Sequence, residues 1–285
     1  MTIEWQRVCI VGVGLLGGAI GQGLKARRLA KTVVGVCRDE AKAATAVNLG
    51  AIDSASRSID QAADQADLVI ICTPVQSIVA NLVQANRHAA NNALLMDVGS
   101  TKLTIVEQAN VEGLVNFVGS HPMAGGERSG VEFSSPDLFV NKLIILTPSD
   151  STSSGKTERA TDFWQSLGAT VHVMTAREHD QAIAATSHVP HLVAAALAGQ
   201  TPIEFGHLTA SGWADSTRIA SGNPEMWRQI IQENRGPVLH ALKNFATIWQ
   251  QWIDAIENGD QEQLLHLLQA GKNIRDALGN RHPSG

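Results

Sequence analysis

The sequence predicts a doubly wound α/β fold with a mostly parallel sheet, followed by an all-helical domain. Three observations carry this prediction. Short apolar runs without polar alternation recur up to about residue 175, helical segments separate them, and beyond about Arg177 the apolar residues recur only at three- and four-residue spacing. Strands of that first kind are buried on both faces, which requires helices on either side of a parallel sheet. The expected division is therefore a sheet domain over residues 1–175 and a helical domain over residues 176–285.

Taken in order, RVCIVGVG is the first strand and LLGGAIGQGLKARRL the helix after it. TVVGVCR with DEAKAATAVNLG, and ADLVIICTP with SIVANLVQANRHA, repeat the unit, and NALLMDVGS supplies a strand that leads to a helix starting near Lys102. NFVGSH, KLIILTP and TVHVMT extend the sheet, and the polar loop PSDSTSSGKTE feeds a helix around ERATDFWQSLG. The second half, from EHDQAIAATSHVPHLVAAALAGQ to the segment ending NIRDAL, is helical throughout. Trp249, Trp252, Ile253 and Ile256 share a long amphipathic helix that closes either onto its own domain or onto a second subunit, and a helix-mediated homodimer is the expected outcome.

Composition narrows the partners. The chain has 285 residues, 44% of them hydrophobic and 17% charged, and a net charge of −5, which offers no basic field to nucleic acid or to an anionic membrane. The N-terminal MTIEWQRVCIVGVG lacks the cationic run, apolar region and cleavage site of a secretory signal, and its apolar segment is too short to span a bilayer, so a cytoplasmic protein is expected. Cys9, Cys37 and Cys72 are odd in number and widely spaced, and read as buried, reduced thiols rather than a disulfide or thiolate metal site.

Gly12, Gly14 and Gly17 follow the apolar strand and open a helix, the strand-turn-helix setting in which GxGxxG binds a dinucleotide. Gly12 permits the tight turn, Gly14 lets a pyrophosphate approach the backbone, and Gly17 allows helix to pack on strand, while amides at the helix start, including those of Leu15 and Leu16, face the anion. This is a Rossmann-type signature. The second strand ends at Cys37 and Arg38, where an NAD site would offer a carboxylate to the ribose. A thiol cannot take that role and Arg38 can pair with a 2′-phosphate, so NADP is favoured over NAD; the alternative turns Asp39 inward to the ribose.

Ligands of such sheets bind beyond the carboxyl ends of the strands. Thr73 and Pro74, the stretch from Asp97 to Lys102, and His121 with Pro122 all stand at strand ends and should converge near the nicotinamide. Ser100 is either the N-cap of the next helix or a hydroxyl bridging His121 and a substrate oxygen. The helical half adds His188 and His191, then Asp215, Arg218 and Trp227. An arginine beside glycines suits bidentate binding of a carboxylate. His188 and His191 are spaced to share a face, but with no cysteine or third carboxylate at hand a metal is not expected.

The segments GVGLLGG, ICTP, DVGSTK, GSHPMAGGERSG, SHVPH and DSTRIA-SGNPEMW, in that order and over nearly the whole length, resemble the prephenate and arogenate dehydrogenases of tyrosine biosynthesis. The resemblance implies NAD(P)-dependent oxidative decarboxylation of a cyclohexadienyl substrate, giving 4-hydroxyphenylpyruvate from prephenate or tyrosine from arogenate. It further implies that His121 contacts the hydroxyl of the reacting carbon, that Ser100 orients it, and that Arg218 binds a substrate carboxylate. Imidazole chemistry agrees, since a neutral ring titrating near pH 7 suits the base that takes the hydroxyl proton. His188 and Asp215 are placed at the substrate side chain with Arg218. Glu127 either meets the amino group of arogenate or is a solvated loop carboxylate. Prephenate is the first choice of substrate. A β-hydroxyacid type of dehydrogenase would need a lysine early in the helical domain, and no lysine stands between Lys156 and Lys243.

Overall fold

A computed structural model describes residues 5–124 and 129–279. It contains one eight-stranded sheet: β1 (Trp5–Val11), β2 (Ala30–Val36), β3 (Ser54–Ser56), β4 (Leu68–Ile71), β5 (Leu94–Asp97), β6 (Phe117–Pro122), β7 (Leu143–Pro148) and β8 (Thr170–Val173). The order across the sheet is β3-β2-β1-β4-β5-β6-β7-β8. All pairs are parallel except β6 with β7, where Ser120 faces Leu146 and His121 faces Ile145. The chain between those two strands forms no crossover α-helix among its described residues, and an antiparallel return needs none.

Helices α1 (Leu15–Ala26), α2 (Glu40–Asn48), α3 (Ile59–Ala63), α4 (Ile78–Asn86), α5 (Leu103–Val111) and α6 (Ser154–Ser166) cover the faces. Alternation along β1 shows how both faces are filled. Val8 and Ile10 join Ile20, Leu24, Phe163 and Trp164 in one core, whereas Cys9 and Val11 join Leu82, Ile105 and Phe117 in the other. The strand order reverses between β1 and β4, which places the ligand crevice beside the turn after β1. The short strand Ser54–Ser56 and the helix Ile59–Ala63 are absent from the sequence expectation, because SAS carries neither apolar alternation nor β-branched residues. Of the three cysteines only Cys9 is fully buried; Cys37 and Cys72 are half-buried, and all three are free thiols.

After β8 come α7 (Ala176–Ile183), a π-helical turn (Ala184–His188), α8 (Val189–Gln200), α9 (Ser211–Thr217) and α10 (Pro224–Glu233). A capping box starts α7: the Thr175 hydroxyl accepts from the Glu178 amide at 3.2 Å, and the Glu178 carboxylate accepts from the Thr175 amide at 3.0 Å. The wide turn ends just before Pro190, which has no N–H to give to an α-helical ladder. The helical run Ala176–Gln200 is long and apolar enough in composition to cross a bilayer. Its buried stripe, however, carries His179, Asp180 and His188 in hydrogen bonds, which is the pattern of a core helix.

The first compact unit extends to Arg235, past the expected division at 175/176, because α7 lies against α5 and β7 and α10 lies against the turn Val75–Ser77. The second unit, from Gly236 onward, consists of most of α11 (Arg235–Glu257) and all of α12 (Gln261–Gly279). Trp249, Ile253, Ile256, Leu265, Leu268 and Ile274 are exposed on these two helices.

Candidate active site

The glycine turn is built for close approach. Gly12 has φ +96°, and a Cβ there would stand 2.7 Å from the Cys72 carbonyl oxygen. A Cβ on Gly17 would run into the Gly12 carbonyl, so α1 can rise directly off β1 only with glycine at that position. Gly14, the N-cap of α1, has nothing within 4 Å of where its Cβ would be, and the first turn of α1, which starts at Leu15 and Leu16, holds no acidic residue. Backbone amides of a first helical turn lack intrahelical acceptors and favour an anion, so this cradle fits a dinucleotide pyrophosphate.

Two neighbouring strand ends flank the turn. After β2, Arg38 is exposed, and its carbonyl accepts from the Arg57 guanidinium at 3.4 Å. Asp39 caps α2, accepting from the Ala41 amide at 2.9 Å and the Lys42 amide at 3.2 Å. That cap uses one oxygen of the carboxylate which the alternative reading would turn to the ribose. After β4, Thr73 Oγ1 accepts from Asn81 Nδ2 at 3.0 Å, and Ser77 Oγ lies 2.9 Å from the Pro74 carbonyl oxygen and 3.1 Å from Thr73 Oγ1, contacts that stiffen this tip.

The end of β5 carries a fully buried ion pair, Asp97 with Lys102. Asp97 also accepts from the Gly99 amide at 2.8 Å and the Ser120 amide at 3.1 Å, while Lys102 Nζ donates to the Ser120 carbonyl at 3.1 Å. Burial pulls the Lys102 ammonium below its ordinary value, and the Asp97 carboxylate opposes that pull. The pair ties the loop bearing Ser100 to β6 immediately before His121.

His121 therefore sits on a rigid strand end. Its Nδ1 lies 2.8 Å from His179 Nε2, and His179 Nδ1 lies 2.7 Å from Asp180 Oδ1, with both His179 and Asp180 buried. Asp180 in turn accepts from the backbone amides of Lys102 at 2.8 Å and Leu103 at 3.0 Å. Burial pushes His121 well below the ordinary imidazole value, and His179, Lys102 and His188 push the same way, so the ring is a neutral base.

Next to this chain His188 is buried, with Nδ1 3.1 Å from Asn234 Nδ2; the same amide donates to the Asp180 carbonyl at 2.8 Å. That orientation makes His188 Nδ1 an acceptor and leaves its proton on Nε2. Burial lowers His188 to about 4, although Asp180 acts in the opposite direction. His191 stacks on Trp227 with ring centroids 3.5 Å apart, and His188 meets the same indole edge-on at 6.0 Å. The two imidazoles thus share one indole, His191 face-on and His188 edge-on.

Ser100 is half-buried and is not the cap of α5, since Asp180 supplies that function; among the described residues no hydrogen bond joins Ser100 to His121. Asp215 is exposed on α9, and Arg218 opens the 3-10 turn Arg218–Ser221 with its side chain exposed. Glu127 lies outside the described residues. The sequence reading missed His179, Asp180 and the burial of Lys102. A signal for the first two existed: Ala176, His179, Asp180 and Ile183 have the i, i+3, i+4, i+7 spacing of one helix face, and all four are buried.

A glycine cradle at a strand-order reversal, with a neutral histidine on a nearby strand end, defines a dinucleotide-dependent oxidoreductase. Residues 20–173 match the family described as prephenate dehydrogenase, nucleotide-binding domain, and residues 175–270 match prephenate dehydrogenase, dimerization domain. The chain is 34% identical to prephenate dehydrogenase of Bacillus subtilis (strain 168), over 95% of this chain and 76% of that protein, and 30% identical to cyclohexadienyl dehydrogenase of Zymomonas mobilis, over 99% of each. Its fold superposes on Aquifex aeolicus prephenate dehydrogenase, solved with hydroxyphenyl propionate and NAD+, with a TM-score of 0.89 and 32% identity over 96% of this chain and 98% of that one. Synechocystis arogenate dehydrogenase gives a TM-score of 0.82 at 30% identity, covering 96% of this chain and 100% of that one. The chain belongs to the prephenate dehydrogenase family.

Proposed function

We propose that the protein is a cytoplasmic homodimeric enzyme of tyrosine biosynthesis that oxidatively decarboxylates prephenate to 4-hydroxyphenylpyruvate, with NADP preferred over NAD. The observation that carries this reading is His121: a neutral imidazole fixed at the end of β6, its Nδ1 engaged by His179 and its other nitrogen available as a base. A nicotinamide dinucleotide held at Gly12, Gly14 and Gly17 supplies the hydride acceptor. As hydride leaves the ring carbinol carbon, His121 takes the hydroxyl proton. The bond to the ring carboxylate then breaks, carbon dioxide departs, and its electron pair restores an aromatic ring, so no carbanion needs lasting stabilisation.

Ser100, half-buried and free of a capping role, orients the carbinol hydroxyl. Arg218, with Asp215 and His188, holds the substrate side chain, and the Nε2–H of His188 is a neutral donor for a carboxylate or carbonyl oxygen. With arogenate as substrate, Glu127 would meet the amino group; with prephenate it is a solvated carboxylate. Arg38, with Thr73 and Pro74, completes the cofactor site: its guanidinium stands at the end of β2 where Asp39 is already committed to capping. The functional division is placed at 175/176, between nucleotide binding and dimerisation. The exposed apolar side chains of α11 and α12 support the dimer, because a monomer would leave them in water.

The test is turnover of prephenate and of arogenate, each with NADP and NAD, followed by reduced-cofactor absorbance, with His121→Asn in parallel. Prephenate with NADP is expected to give the largest kcat/KM, and the variant to lose about 100-fold or more in kcat while still binding substrate. Faster turnover of arogenate would reassign the substrate. Absence of turnover with all four pairs, from a folded preparation, would sink the reading.

A further inference from the structure

We propose that His179 and Asp180 form a proton relay behind His121, so that the positive charge created when the substrate hydroxyl is deprotonated comes to rest on His179, beside Asp180. The inference rests on the reading above, that His121 is the base, and assigns positioning roles to two residues outside the expected site.

The hydrogen bonds fix the tautomers along the chain. Asp180 acts as an acceptor, because its two oxygens already receive the amides of Lys102 and Leu103 at the start of α5, where the helix end favours negative charge. His179 Nδ1, 2.7 Å from that carboxylate, must therefore carry a proton and donate it. A neutral His179 then has a lone pair on Nε2, and among the described residues the donor facing it is His121 Nδ1 at 2.8 Å. With its proton on Nδ1, His121 presents a bare Nε2, the form that a general base requires.

Electrostatics decide where the proton ends. His121 shares its surroundings with the Lys102 ammonium and with His188, and among the described residues no carboxylate is hydrogen-bonded to it, so a cation held there is desolvated and repelled. One imidazole further in, the charge meets Asp180 directly. Among the described residues, the groups facing the chain are Asp97 and Lys102 from the segment between β5 and α5, paired with each other, and His188 from the π turn, held neutral by burial. In the step, the substrate O–H bond breaks and its proton bonds to His121 Nε2, while the Nδ1–H proton of His121 passes to His179 Nε2. His121 ends neutral and His179 ends as an imidazolium paired with Asp180. Return of the two protons along the same path, with release to water from His121 Nε2 after product leaves, resets the site.

The test is His179→Gln, whose side-chain oxygen can still accept from His121 Nδ1 but cannot take the proton. Prephenate kcat is expected to fall about 30-fold or more, with KM within about threefold, and the acidic limb of the kcat–pH profile to move down by about one pH unit as the charge becomes confined to His121. Far-ultraviolet circular dichroism and dinucleotide binding should be unchanged. A kcat within about threefold of wild type, with the limb unmoved or raised, overturns the relay. If the variant does not fold, single-turnover rates of the wild type in mixtures of light and heavy water decide: a curved dependence on deuterium fraction reports two protons in flight, and a linear one overturns the proposal. A wild type that turns over neither substrate sinks the functional reading and the relay with it. An active wild type with an unaffected variant sinks the relay alone.

Discussion

Asp180 caps a helix to which it does not belong: its Oδ1 accepts from the Lys102 amide at 2.8 Å and its Oδ2 from the Leu103 amide at 3.0 Å, across 78 and 77 residues of sequence. No side chain within the loop before α5 caps that helix, so its first turn depends on α7 being in place. Asp180→Asn keeps one acceptor oxygen and loses the charge. The variant is expected to be destabilised by about 1–2 kcal/mol, read as a lower urea midpoint with unchanged slope. An unchanged midpoint would show that the cap is energetically idle.

The buried pair of Asp97 and Lys102 makes a sharper prediction. Both side chains have no exposure, and each also serves the backbone around Ser120. Lys102→Met leaves the Asp97 charge buried with only amide partners, which is expected to cost about 3–5 kcal/mol in urea unfolding. Asp97→Asn combined with Lys102→Met removes both charges and should recover part of that loss. Additive losses in the double variant would contradict a direct ionic coupling.

Much of the site was legible because it stands at strand ends. The apolar runs marked β1, β2, β4 and β5, the glycines marked the turn after β1, and His121 stood near the end of a recognisable strand. His179 and Asp180 were not legible by the same logic. A charged pair in EHDQAI reads as solvated helix surface unless its place on one helix face with Ala176 and Ile183 is weighed, and contact with β6 and the start of α5, 58 and 78 residues away, holds it inward. Lys102 was hidden for the same reason: nothing local distinguishes a lysine that will meet a buried carboxylate five residues before it. The short strand Ser54–Ser56 forms because β2 offers it an edge, not because its own residues favour extension.

The buried imidazoles predict a pH dependence of stability. Burial lowers His188 from its ordinary 6.5 to about 4, so the unfolded chain binds a proton between these values that the folded chain does not. Unfolding is therefore favoured as pH falls from about 6.5 toward 4, and the contribution approaches about 3 kcal/mol at the acid end of that window. His121 is depressed for the same cause and adds in the same direction. Urea midpoints measured near pH 7.5 and pH 4.5 should differ clearly for the wild type, and by less for His188→Gln, which has no proton to gain. Equal differences in the two proteins would remove His188 from the account.

Cofactor choice rests on the end of β2. Arg38 is exposed there, the Arg57 guanidinium donates to its carbonyl at 3.4 Å, and Arg57 also lies 3.5 Å from Glu40. Asp39 is held by two amides of α2, so moving it to a ribose would forfeit a helix cap. The Arg38 guanidinium has the right charge for a 2′-phosphate and no capping duty, and Arg57 can reinforce the same field. Arg38→Ala is expected to lower kcat/KM for NADP by about tenfold or more and to leave the value for NAD within about twofold, because NAD has no phosphate for the side chain to meet. Arg57→Ala should show a smaller loss with the same selectivity for NADP. Steady-state kinetics with each cofactor at saturating substrate decide the matter. Parallel losses with both cofactors would mean that Arg38 supports the strand end rather than reading the phosphate.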